Sequence, residues 1–153
     1  MVTAETFAGI GLFEGLPDEA LASIATLCRE ETFPSDTVIC AEGHRANRIY
    51  FLQDGTVGLL VKPTSLPDPL TLSVLKSPGQ AFGWSAVVGH GHYTAQARAL
   101  SDVRVVSIDG QGLLGYLERN PVVGFVVMKR VAGVVSSRLR IMRTLVLETA
   151  FDL

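Results

Sequence analysis

Apolar residues recur at helical spacing in LPDEALASIATLC (residues 16–28), switch to short β-branched and aromatic runs through residues 30–108, and return to helical spacing from Asp109 onward. The first segment places Pro17 at the first helical position with Asp18 and Glu19 in the first turn, which predicts a short amphipathic helix. The middle reads as about eight short strands punctuated by Gly, Pro and Asp, the pattern of an antiparallel barrel or jelly roll. Asp54-Gly55, between IYFLQDG and TVGLLV, predicts a hairpin. In the last segment Asp109 caps a helix that ends at Asn120-Pro121, where the pre-proline restriction sets a boundary. A second helix then runs from 121 to about 148. Phe125, Met128, Val131, Val135, Leu139 and Met142 form a stripe along it. At about 40 Å it is longer than a small barrel can cover, so the surplus face predicts a homodimer seam; the alternative is a helix folded entirely onto its own barrel.

A chain of 153 residues suits one domain, 1–153, divided into an N-terminal helical part (1–29), a β-roll (30–108) and C-terminal helices (109–153). With 48% apolar and 18% charged residues and a net charge of -2, the composition argues against disorder and against a polybasic nucleic-acid surface. The opening MVTAETFAGIGLFEGL lacks the pattern of a signal peptide, so a cytoplasmic location is expected. Lys129 and Arg130 interrupt the most apolar stretch, VVGFVVMKRVAGVV, and no membrane span is expected. Cys28 and Cys40 are too few for a disulfide framework or zinc knuckle and are expected to be reduced.

Chemistry concentrates at FGWSAVV, residues 82–88. A strand that stops at a Gly turn and opens a short helix presents backbone N–H groups to an anion. Thr94, Ala95 and the strand QARAL follow. His90 and His92, with Gln96 and a remote His44, superficially resemble a cupin metal set, but a neutral amide stands where a carboxylate is needed and GHGHY reads as a turn. No metal site is expected, and no Ser or Cys has a context suggesting nucleophilic catalysis, so the chain reads as a non-enzyme.

The segments LFEGLPDEALASIA, VICAEGHRANRIYFLQDGTVGLLV, PGQAFGWSAV and DVRVVSIDGQGLLGYLERNP, taken together, resemble the cyclic-nucleotide-binding domain of the catabolite activator protein family. The resemblance implies an eight-stranded antiparallel β-roll flanked by a short N-terminal helix, a cassette helix and a long dimerising C-terminal helix. It implies a pocket at Phe82, Gly83, Trp84, Ser85, Ala86, Tyr93, Thr94 and Ala95, closed by Arg138, or by Met142 and Arg143 if the helix sits one turn further along. It also exposes two departures. Where members that bind cyclic AMP or cyclic GMP carry a ribose-holding Glu, this chain has Trp84; where they carry a phosphate-pairing Arg, it has Tyr93. Both aromatics either line a pocket for another small anionic or aromatic ligand, or fold inward and fill it; weak cyclic-nucleotide binding is the third alternative. Arg98, five residues after Tyr93, falls on the opposite strand face and is expected to point outward. Transcription regulators of the family carry a DNA-reading domain after the long helix, whereas this sequence stops at Leu153, so no DNA binding by this route is expected.

Overall fold

The computed structural model describes residues 2–151. Two helices, α1 (Ala4–Ala8) and α2 (Asp18–Ala25), flank a 3-10 turn at Gly11–Phe13; Pro17 is the N-cap of α2, one position earlier than its sequence reading. Eight strands follow: β1 (Cys28–Phe33), β2 (Val38–Cys40), β3 (Arg48–Asp54), β4 (Val57–Val61), β5 (Leu70–Leu75), β6 (Ala81–Phe82), β7 (Gln96–Ala99) and β8 (Val103–Asp109). They form two antiparallel sheets ordered β1-β8-β3-β6 and β2-β7-β4-β5. Helices α3 (Gly110–Arg119) and α4 (Pro121–Phe151) complete the described chain.

Asp54-Gly55 does not make the expected hairpin. β3 pairs with β6 and β8, while β4 pairs with β5 and β7, so the turn carries the chain from one sheet to the other. The 100–102 corner between β7 and β8 makes the same crossing beside it. Gly55 has φ +97°, and a Cβ there would lie 2.3 Å from the Asp102 carbonyl oxygen. Thr56 N–H donates to Ser101 Oγ at 3.0 Å and Leu100 N–H to Thr56 O at 2.8 Å. Two stacked corners have replaced the local pairing that Asp-Gly chemistry alone favours.

Strand alternation sets the two faces of the first sheet. Ile49, Phe51, Val106 and Ile108 are buried on the face that receives the helices, where the Phe13 and Phe51 rings lie 5.6 Å apart. Tyr50 and Phe82 are direct cross-strand partners on the other face, toward the second sheet, and stack at 5.1 Å. Asp109 caps α3 by accepting from Gly112 N–H at 2.8 Å, and α4 begins at Pro121 as the sequence indicates. Gly124 lets α4 cross tightly over α3, since a Cβ there would lie 2.6 Å from Leu117 O.

Helix α4 has 31 residues, about 46 Å. Its inner face is Val127 and Val131, both buried. Val131 therefore belongs to the intramolecular core and not to the seam; three- and four-residue steps let the reading drift onto the inner face. The other stripe residues, Phe125, Met128, Val135, Leu139 and Met142, are exposed, Phe125 and Leu139 at 68% and 70%.

Candidate functional site

The cassette is built from Gly83 outward. Gly83 takes the left-handed conformation (φ 79°) that ends β6, and residues Trp84–Ala86 form one 3-10 turn. Ala86 N–H donates to Gly83 O, and Val87 and Val88 N–H both donate to Trp84 O. The expected cassette helix is thus a single 3-10 turn, with no row of aligned peptides to supply a helix dipole, and its local bonds use the N–H groups of Ala86, Val87 and Val88.

Tyr93 is buried, and its hydroxyl is bound to the backbone. It donates to Arg48 O at 2.7 Å and accepts from Arg48 N–H at 3.3 Å. The ring is placed by two backbone bonds between adjacent loops, Gly43 N–H to Tyr93 O at 2.8 Å and Tyr93 N–H to His44 O at 2.9 Å. Cys40 and Tyr50 lie near the same hydroxyl. Burial pushes the Tyr93 and Tyr50 phenols up, and pushes the Cys40 thiol up to about 12. Cys28 is likewise raised to about 12 by burial, and both cysteines are free. Thiols so held carry almost no thiolate at neutral pH and offer no nucleophile.

Of the remaining cassette positions, Phe82 and Ala86 are buried, Gly83, Ser85 and Ala95 are half-buried, and Thr94 is exposed. Arg98 is exposed on the outer face, as alternation predicts. His44, His90 and His92 are all exposed, and no group of three or more metal-ligating side chains occurs among the described residues.

Sequence reasoning did not find Arg48. Its Nε–H donates to Ser107 Oγ at 2.8 Å and its Nη2 to Ser107 O at 3.1 Å, while the Ser107 hydroxyl donates to Glu31 Oε2 at 2.6 Å. The roll thus holds a polar chain of its own around a fully buried Ser107.

Trp84 is set apart from these groups. It lines a cavity of about 680 Å³ on the helix-covered side of the first sheet, together with Phe51, Ala81, Gly79, the Gly9–Leu12 segment and α4. Neither Tyr93 nor any other cassette residue is among the lining groups. Arg138 from α4 lies over the indole, 5.8 Å from its centroid, and donates through Nη2 to Ala81 O. Met142 and Arg143, the other lid candidates, are exposed and do not line this cavity. Arg130, another residue missed at the sequence level, donates to the carbonyls of Gly11, Leu12 and Glu14. Its signal was a charge set inside an apolar helical run. The Trp84 Nε1–H is buried with no acceptor, a situation that costs about 1–3 kcal/mol when nothing compensates it.

Residues 30–120 match the family model described as the cyclic nucleotide-binding domain. Among similar proteins, a CRP-like cAMP-activated global transcriptional regulator of Mycobacterium tuberculosis is 27% identical over 118 residues, covering 76% of this chain and 51% of the regulator. The chain therefore spans about half of that relative. A crystallised protein of Geobacter metallireducens GS-15, named for cyclic-nucleotide binding, is 35% identical with a TM-score of 0.79, covering 91% of this chain and 99% of its own. The Thermus thermophilus catabolite activator protein shares the fold at 23% identity and TM-score 0.73, covering 92% and 63%. A partial match of 27% identity to glutaminase 1 of Bradyrhizobium diazoefficiens covers 84% of this chain but 20% of that enzyme. Among the described residues no helix is long and apolar enough to cross a membrane.

Proposed function

This chain belongs to the cyclic nucleotide-binding domain family, and from that premise we propose that it is a non-catalytic, cytoplasmic regulatory domain whose roll interior does not take cyclic AMP or cyclic GMP. The observation that carries the reading is the Tyr93 hydroxyl, which spends its donor and an acceptor lone pair on the Arg48 backbone. A cyclic phosphate at the cassette would meet a phenol in place of a guanidinium and lose a charge-assisted bond of roughly 1.5–3 kcal/mol. Trp84 faces α4, so no ribose-binding group replaces the missing carboxylate on the cassette side. The domain works as a homodimer through the outer stripe of α4, and its two states differ in how α4 sits against the roll.

Isothermal titration calorimetry with cyclic AMP and cyclic GMP tests this. No saturable heat is expected up to millimolar nucleotide, and micromolar binding of either would overturn it.

A further inference from the structure

We propose that the cavity between α4, the N-terminal segment and Trp84 binds a small organic carboxylate with an apolar body, and that this ligand is what the domain senses. The inference rests on the reading that the roll interior is closed, and it places recognition on the opposite face of the first sheet. Phe51 and Ala81 line the cavity, whereas their neighbours Tyr50 and Phe82 face the second sheet, where their rings stack.

Three observations point to the ligand class. The cavity, about 680 Å³, has the size of a small-molecule site. Its charged lining consists of Arg130 and Arg138, with no Asp or Glu among the lining residues. Arg130 is committed to three carbonyls. Arg138 makes one hydrogen bond, to Ala81 O, and has no acidic partner among the described residues, so most of its five N–H donors are available to a carboxylate. Burial also pulls its guanidinium below the ordinary value. The third is Trp84, which lines the same space and whose buried Nε1–H has no acceptor. Leu12, Phe51 and Val134 supply an apolar wall, which fits a hydrocarbon or aromatic body better than a bare inorganic anion.

Such a ligand would bridge α4 to the β5–β6 turn through Arg138, and so couple occupancy to the position of the long helix.

Trp84 is the sole tryptophan, so its fluorescence reports on this cavity and on the cassette turn to which it belongs. The full chain is titrated with phenylacetate and decanoate, their uncharged counterparts phenylacetamide and decanol, inorganic phosphate and cyclic AMP. Saturable quenching or shift with at least one carboxylate is expected, the uncharged counterpart binding about tenfold more weakly or worse. In Arg138→Gln, with far-UV circular dichroism unchanged, that discrimination disappears. In Trp84→Phe, followed by calorimetry, carboxylate affinity falls about fivefold; this variant decides the matter if Arg138→Gln does not fold. No saturable response to either carboxylate at millimolar concentration overturns the proposal. Equal affinity for charged and uncharged forms, equal binding of phosphate alone, or unchanged affinity in both variants does the same. A saturable response to cyclic AMP alone would instead overturn the closed-interior reading, which keeps the two failures distinct.

Discussion

A hydroxyl stands at position 93 where the family resemblance places a guanidinium, and its bonds run to a backbone 45 residues away in sequence. Tyr93→Phe removes both bonds and strands the Arg48 carbonyl and N–H, so a loss of about 1–2 kcal/mol is expected by urea denaturation. The neighbouring thiol sets a pH limit. Cys40 has its folded-state pKa raised from 9.0 to about 12 by burial, so the unfolded chain releases this proton first as pH rises. Stability from this group is complete below pH 9 and is lost progressively between pH 9 and about 12, at up to about 1.4 kcal/mol per pH unit. Thermal melts of wild type and Cys40→Ala should therefore converge at alkaline pH. Parallel curves over that window would refute the assignment. None of this was legible from the residues, because a tyrosine's partner on a distant strand leaves no trace in spacing, and both inward and ligand-facing roles fit the same letter.

At the scale of elements, the strands were legible because Gly, Pro and Asp mark their ends, and α3 and α4 because Asp109 and Pro121 mark their starts. Pairing was not. Asp54-Gly55 has hairpin chemistry, yet its glycine serves contact with the 100–102 corner. Gly55→Ala combines a positive φ with a backbone clash against Asp102 O, and a loss of at least about 2 kcal/mol is expected in thermal or urea unfolding. A near-neutral effect would mean that the two corners do not pack as described. The cassette shows the reverse relation: its sequence frame is intact, but residues 84–86 form one 3-10 turn in place of a longer helix. Of the stripe on α4, Val131 is buried in the intramolecular core and the other positions are exposed.

The whole molecule divides α4 into two parts. Arg130 and Arg138 fasten α4 to the N-terminal carbonyls and to Ala81, while residues 139–148 are exposed throughout, including Leu139, Ile141 and Val146. An apolar helix of this length left uncovered favours self-association, the basis of the proposed dimer. Sedimentation velocity should give a dimer at micromolar concentration, and Leu139→Lys should shift it to monomer without loss of helicity; a monomer at all concentrations would contradict the seam.

The central proposal is that the family fold is kept while the roll interior does not take cyclic nucleotide. Amide shift mapping of ¹⁵N-labelled protein with millimolar cyclic AMP tests it most directly. The account predicts unchanged resonances for Gly83–Ala86, for Thr94–Ala97 and for Arg48. Saturable shifts at those amides, with the Arg48 amide moving as the tyrosine releases it, would contradict it.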